Sequence, residues 1–154
     1  MIEIKPMDRS HYEDMHKLCQ EIEPFRGYNP FDLFCAGLDC RRGFTFWNKD
    51  RLMGYATYSD YVPGHTVCIH LTCRPNVMNR RLIKHIFKFG FETLHTYRMF
   101  TFIVDGLTDG ARKFIERLGF VKEGNLREAA RMDNGEIRDM HLYGLLRKEC
   151  GKWI

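Results

Sequence analysis

The 154-residue sequence lacks the features that mark several large classes of protein. No apolar run approaches the roughly 20 residues that a membrane-spanning helix needs. The first residues, MIEIKPMDRS, contain no apolar stretch of the kind found in signal peptides. The six cysteines include no CxxC pair, so neither a disulfide framework nor a metal site is predicted. Reduced thiols and a cytoplasmic location are therefore expected.

The sequence also has only a modest excess of positive charge, with a formal net charge of +4. Lysines and arginines scattered at this density are typical of a solvated surface, so nucleic acid is not an expected partner. The content of 44% hydrophobic and 29% charged residues is that of an ordinary globular protein. No repeat, low-complexity tract or linker divides the chain. The sequence therefore predicts a single domain over residues 1–154.

Hydrophobic periodicity and turn residues predict the order strand, helix, helix, three strands, helix, strand, helix, two strands. Ser10 and Glu13 form a predicted capping box for the first helix, and Asn29 is predicted to cap the second. The longest helix is predicted from about Asn79 to Thr96. Because this helix connects the fourth and fifth strands, those strands should be parallel neighbours. The fold class is therefore α+β, with a mixed, mostly antiparallel sheet flanked by helices.

This order of elements resembles the GNAT superfamily of N-acetyltransferases. The closing segment, ARKFIERLGFVKEGNLREAARMDNGEIRDMHLYGLLRKE, resembles the RimJ/RimL-like branch of that superfamily, including phage-encoded members. The residues that carry the resemblance are Leu118, Gly119, Phe120, Glu123, Gly124, Arg127, Asp139 and Tyr143. The resemblance implies a splay between strands 4 and 5, beginning near Leu71 to Cys73, that opens a cleft for acetyl-CoA. Expected partners are acetyl-CoA, an amine acceptor such as a protein N-terminus, and a second copy of the chain in a homodimer.

The family binds the cofactor pyrophosphate on a turn of pattern Q/R-x-x-G-x-G/A, and RPNVMN stands at that place here. Arg74 fits the first position, whereas Val77 and Asn79 stand where glycines are expected. Their side chains would narrow the phosphate cradle, unless Asn79 adopts the left-handed conformation that asparagine tolerates. Arg80 and Arg81 follow at a helix start, where the helix dipole favours negative charge. A bound pyrophosphate would explain both arginines, and the alternative is two exposed basic residues without a special role.

Three further residues are expected to contact the cofactor by resemblance. Two of them are Leu71 and Cys73 on the fourth strand, and a backbone N–H on the strand that ends at Cys73 would stabilise the charge that develops on the thioester oxygen. Thr108 stands where the family commonly has an asparagine that contacts the pantetheine arm. Its hydroxyl would do part of that work, and it is also a candidate helix cap.

The catalytic groups are the least defined part of the predicted site. A tyrosine acid common in the family is replaced by Ile115, and a serine of the RimL type by Ala111. His70, on the fourth strand, is the first candidate for a general base, although a strand histidine is often structural. The weaker candidates are His65, Asp60 and Asp139.

Two functions remain open on these residues. The first is an N-acetyltransferase that moves an acetyl group from acetyl-CoA to a protein N-terminus or a small amine, favoured by the closing segment and the three arginines. The second is a non-catalytic GNAT-like binding or structural protein, for example a phage virion component. Val77, Asn79, Ile115 and Ala111 favour this second function.

Overall fold

The computed structural model describes residues 1–22, 42–106, 109–132 and 134–154. Its strands are β1 (Glu3–Pro6), β2 (Gly43–Asn48), β3 (Arg51–Val62), β4 (Thr66–Cys73), β5 (Arg98–Val104), β6 (Val121–Arg131) and β7 (Ile137–Leu146). Its α-helices are α1 (Tyr12–Glu21), α2 (Arg80–Lys88) and α3 (Asp109–Leu118). Among the described residues, no helix has the length and apolar character needed to cross a membrane.

The seven strands form one mixed sheet in the order β1-β2-β3-β4-β5-β7-β6. Neighbouring strands are antiparallel except for β4 and β5, which are parallel. This arrangement confirms the predicted α+β fold with its mostly antiparallel sheet and its β4–helix–β5 crossover.

The parallel pair is joined only at its beginning, where Thr66, Val67 and Cys68 face residues of β5. Beyond Cys68 the two strands separate. The splay is therefore present, but it begins before the predicted Leu71 to Cys73. β4 stays paired with β3 as far as Cys73, and β5 stays paired with β7 as far as Val104. Each strand follows its antiparallel partner, so the parallel contact ends early.

Helices cover the two faces of the sheet. On one face, α2 packs Leu82, Ile86 and Phe87 against the odd-numbered side chains of β4, such as Val67 and Ile69. On the other face, α1 packs against β2 and β3 through a smaller cluster of Met15, Leu18, Trp47, Leu52 and Tyr55. Odd-numbered and even-numbered side chains of β4 therefore reach different faces.

The helix boundaries correct two predictions. Asp8, not Ser10, provides the cap before α1, because its carboxylate accepts from the Ser10 N–H at 2.8 Å at the start of a short 3-10 turn. The long helix begins at Arg80 as expected, but α2 ends at Lys88 and continues as a π-helical turn over Phe89–Thr93. The predicted cap at Asn29 lies outside the described residues.

Residues of the closing segment hold its geometry. Gly119 ends α3 with φ +108, a conformation that favours glycine. Glu123 forms an ion pair with Arg98 across the edge of the sheet. Asp139 accepts from the Glu128 N–H at 2.8 Å, beside a register shift in β6. Tyr143 is buried in the core. These four motif residues therefore have structural roles.

Candidate active site

A cleft of about 1520 Å³ lies where β4 and β5 separate. Its walls come from both faces of the sheet, because His70 and Thr72 line it together with α2 residues such as Ile86 and α3 residues such as Phe114. Cys73 also lines the cleft, and burial raises the pKa of its thiol to about 11, so this thiol stays protonated at neutral pH. The cleft is mostly apolar and is lined by residues from both faces of the sheet.

The backbone of β4 directs polar groups into this cleft. The Arg74 N–H donates to the Met53 carbonyl of β3 at 2.9 Å, and the Tyr97 N–H donates to the His65 carbonyl from the β5 side. In an antiparallel strand, successive residues direct their N–H groups to opposite sides. The N–H groups of Leu71 and Cys73 therefore point toward β5, beyond the last parallel pair. They lie where a ligand oxygen in the cleft can accept from them.

The two unexpected side chains in the loop between β4 and α2 have different surroundings. Val77 is 5% exposed and packs in the core with α2. The Asn79 side chain turns back over the helix, where its oxygen accepts from the Leu82 N–H at 3.1 Å. Asn79 is extended, with φ −129, and the left-handed residue of the loop is Asn76, with φ +62. Of the two alternatives for Asn79, the left-handed conformation is therefore not adopted. Val77 leaves the cradle, whereas the Asn79 side chain caps the helix start at which the phosphates are expected.

The three arginines differ in how they are held. Arg80 is exposed at the first position of α2, beside the first-turn N–H groups, of which that of Leu82 is capped by Asn79. Arg81 donates from Nη1 to the Ile2 carbonyl at 2.9 Å. Arg74 lies at the cleft but donates to the Glu21 carboxylate at 2.7 Å and to the Leu52 carbonyl at 3.1 Å. Arg80 is therefore the arginine best placed to meet an incoming anion.

His70 lies on the α1 face of the sheet. It pairs across the strands with Thr57, which shares a face with Tyr55 of the α1-side cluster. Its Nε2 lies 2.8 Å from the Ser59 hydroxyl and 3.6 Å from the Cys68 sulfur. The Ser59 hydroxyl in turn donates to the Asp60 carboxylate at 3.1 Å. His70 is thus held at the cleft wall by a polar cluster and not by apolar packing alone.

Burial and charge act in opposite directions on this histidine. Burial lowers the pKa of His70 below 6.5, and the nearby Asp60 carboxylate opposes that shift. Because burial is the larger effect, the imidazole is neutral at pH 7. A neutral imidazole can accept a proton, as a general base must.

The other candidate catalytic residues are placed less favourably. His65 precedes β4, at the opposite end from the splay, and its ring contacts Tyr97. Asp139 accepts from the Asn125 side chain at 2.9 Å, and this hydrogen bond lowers its pKa. Ala111 and Ile115 line the cleft without a polar side chain. Thr108 lies outside the described residues, so its cofactor contact stays a prediction.

The sequence matches the model of a known protein family. The model of the Acetyltransferase (GNAT) domain matches residues 15–142 of this chain. The chain belongs to the GNAT acetyltransferase family. Enzymes of this family use acetyl-CoA as a cosubstrate. No curated protein matches the chain.

Solved structures share this GNAT fold. A mutant of the spermidine N-acetyltransferase SpeG from Vibrio cholerae aligns with a TM-score of 0.73 and 17% identity, over 96% of this chain and 94% of that one. Mutant forms of the spermidine/spermine N-acetyltransferase SpeG from the same organism align with a TM-score of 0.73 and 17% identity, over 99% and 98% of the two chains. At this identity the similarity establishes the fold. The RimJ/RimL-like branch and a phage origin stay predictions.

Within the GNAT framework, the sequence identified His70 but missed the partner that holds it. Ser59 and His70 are eleven residues apart and on different strands, and only the register of β3 with β4 brings them together. Asp60 was considered only as an isolated base. The strand alternation of β3 would place Ser59 and Asp60 on opposite faces, so sequence pattern gave no reason to join them.

Proposed function

We propose that this GNAT-family protein is an acetyl-CoA-dependent N-acetyltransferase acting on a primary amine. The single observation that carries the proposal is the gap between β4 and β5, where two strand N–H groups and a neutral His70 meet at one cleft. A non-catalytic role was suggested by Val77 and Asn79. The Val77 side chain packs in the core, so it gives no support to a closed cofactor site, whereas the Asn79 side chain caps the start of α2.

The cofactor is proposed to lie along the cleft with its pyrophosphate at the start of α2. The positive end of the helix dipole and the Arg80 guanidinium favour an anion there. The pantetheine arm would pass between β4 and β5, and the N–H groups of Leu71 and Cys73 would donate to the thioester oxygen. Arg81 and Arg74 would contribute positive charge from their existing hydrogen-bonded positions.

The acetyl group supplies an electrophilic carbonyl carbon, and the residues around it prepare the amine. His70 would take one proton from the acceptor ammonium, which leaves a nucleophilic nitrogen to attack that carbon. The strand N–H groups would stabilise the negative charge that develops on the carbonyl oxygen. The new N–C bond then replaces the C–S bond, and the CoA thiolate takes the second proton released by the amine. Ala111 and Ile115 offer no acid, so solvent is assigned to carry this second proton from the amine to the thiolate.

The acceptor is proposed to be a cationic amine that enters from the α1 face. The Asp60 carboxylate lies on that side next to His70 and would attract a positively charged substrate. Spermidine is one candidate, because the structurally similar SpeG proteins are spermidine N-acetyltransferases. A peptide with a free N-terminal amine is the other.

Binding and turnover can be tested separately. Acetyl-CoA at a hundred times its dissociation constant should raise the free energy of unfolding by about 2.7 kcal/mol, which a thermal shift detects. Release of free CoA thiol with spermidine, with a peptide bearing a free N-terminus, and with its N-terminally blocked form would then identify the acceptor class. Absence of both acetyl-CoA binding and thiol release would refute the proposal.

A further inference from the structure

The Ser59 hydroxyl lies between a carboxylate and an imidazole, and this arrangement restricts where protons can be. Its oxygen is 3.1 Å from Asp60 Oδ2 and 2.8 Å from His70 Nε2. A serine hydroxyl has one proton to donate, and an ionised carboxylate can only accept. Ser59 must therefore donate to Asp60 if that contact is to be a hydrogen bond. Its lone pairs then face His70.

A proton on His70 Nε2 completes this arrangement. If Nε2 carried a lone pair instead, Ser59 would have to donate to it, and two oxygen acceptors would face each other between Ser59 and Asp60. Only an Nε2–H imidazole makes both short contacts hydrogen bonds. The lone pair of neutral His70 then lies on Nδ1.

An irregularity in the backbone of β3 brings the Asp60 carboxylate next to Ser59. In a regular strand the side chains of Ser59 and Asp60 would point to opposite faces. The pairing of β3 with β4 is instead irregular between Ser59 and Val62, and Asp60 has φ +49. Such an irregularity re-aims a side chain, and aspartate is among the residues that tolerate positive φ. It turns the Asp60 carboxylate toward Ser59.

We propose that Ser59 and Asp60 are positioning residues that fix His70 as the Nε2–H tautomer, so that Nδ1 is the atom that accepts the proton of the acceptor amine. This inference rests on the proposed function for its catalytic part. The amine nitrogen loses one proton and Nδ1 gains it. No proton moves along the Asp60–Ser59–His70 chain, which keeps its hydrogen bonds and stabilises the imidazolium.

Cys68 provides a second polar group near Nε2. Its sulfur is 3.6 Å away, and a thiol is a weak donor and a weak acceptor. The shorter contact with Ser59 therefore decides the tautomer, and loss of the thiol should leave that tautomer unchanged.

The decisive experiment is ¹⁵N NMR of His70 in the full chain at a pH where its imidazole is neutral, with the His70→Gln variant used for assignment. The wild-type ring should show a protonated Nε2 and an unprotonated Nδ1. In Asp60→Asn the new amide can donate to Ser59, so the lock is lost and an Nδ1–H population should appear. Ser59→Ala should also give a mixture, and Ser59→Thr should restore the single tautomer.

Matched controls separate this effect from general disturbance. Cys68→Ala and Asp50→Asn, the latter in the β2–β3 turn, should both keep the wild-type tautomer. Ser59→Ala and Asp60→Asn should lower kcat about two- to tenfold, the effect of one neutral hydrogen bond, without changing the KM for acetyl-CoA.

Two results would overturn the proposal. One is a neutral wild-type His70 protonated on Nδ1, and the other is an unchanged tautomer in both Ser59→Ala and Asp60→Asn. A confirmed Nε2–H tautomer without acetyl transfer to any amine would instead refute the proposed function and leave the tautomer assignment standing.

Discussion

Replacement of Val77 by alanine tests whether its side chain packs in the core or blocks the cofactor site. Val77 stands where the family's phosphate loop has glycine, yet its side chain is 5% exposed and packs in the main core. If that packing is its role, the substitution should destabilise the fold and leave acetyl-CoA affinity nearly unchanged. If its side chain instead filled the phosphate cradle, the substitution should strengthen binding.

The expected loss of stability follows from the two methyl groups removed. At about 0.8 kcal/mol for each buried carbon, the transfer term is roughly 1.6 kcal/mol. A partly relaxed cavity adds to this, so the total should be about 2–3 kcal/mol. For a domain of this size the midpoint of thermal unfolding should fall by roughly 4–12 °C. Val121→Ala is the matched control, because Val121 is 56% exposed and should change stability by less than about 0.5 kcal/mol.

Urea denaturation would measure the stability change, and isothermal titration of the folded variant would measure acetyl-CoA affinity. We expect the dissociation constant of Val77→Ala to stay within about threefold of wild type. A variant that keeps its stability and binds acetyl-CoA tenfold more tightly would refute the reasoning, because it would place the valine side chain in the cradle.

Three further results are expected. Arg80→Ala should weaken acetyl-CoA binding about tenfold or more, since a charge-assisted contact contributes roughly 1.5–3 kcal/mol. Lys88→Ala, at the other end of α2, is the control and should leave the affinity unchanged. Equal affinities of the two variants in a titration would mean that the phosphates bind elsewhere. Gly54→Ala should reduce both stability and acetyl-CoA affinity, because the added Cβ would lie 2.7 Å from Cys73 Cβ, where β3 pairs with β4. Unfolding and acetyl-CoA binding curves that match those of wild type would contradict this close approach. The pKa of His70 is lowered from 6.5, so kcat should fall only as pH drops below about 6.5, where the imidazole gains a proton. The pH–rate profile of His70→Gln should lack this decrease at low pH. A decrease that persists in the variant would be due to another group.

The lowered pKa of His70 also determines how the free energy of unfolding changes with pH. The unfolded chain binds a proton at His70 more tightly than the folded chain does. At this site, stability is therefore retained above pH 6.5 and decreases as pH falls through that value. Urea denaturation of wild type and His70→Gln between pH 5 and 8 should show a smaller decrease in the variant. Equal decreases would mean that His70 does not contribute.

Strong local patterns made much of the fold predictable. The apolar stripe of α2 and the β-rich runs before and after it predicted the parallel β4–β5 crossover. Gly119, one of the closing-segment residues that carry the resemblance, follows α3 with φ +108, which few residues other than glycine adopt readily. What failed were features decided by competition between contacts. Ser10 was predicted to cap the first helix with Glu13, but the Asp8 carboxylate accepts from the Ser10 N–H group and forms the cap instead.

The candidate site was predictable only where a residue acts through its own position in a strand or helix. His70 and the start of α2 were located in this way. The direction of the Val77 side chain was not, because the left-handed residue of the loop is Asn76 and not a glycine. The Ser59–Asp60 contact depends on an irregular strand with a positive φ at a non-glycine residue, which no periodic pattern indicates.

The central claim is that the cleft between β4 and β5 brings acetyl-CoA and an amine together beside His70. The most direct test is mass spectrometry of the amine after incubation of stoichiometric enzyme with acetyl-CoA, for wild type and His70→Gln. We predict that wild type adds one acetyl group to a primary amine and that His70→Gln does so about 100-fold more slowly, the lower end of a general base's contribution. Equal rates in the two proteins, or no acetylated amine from wild type across spermidine and free peptide N-termini, would contradict the account.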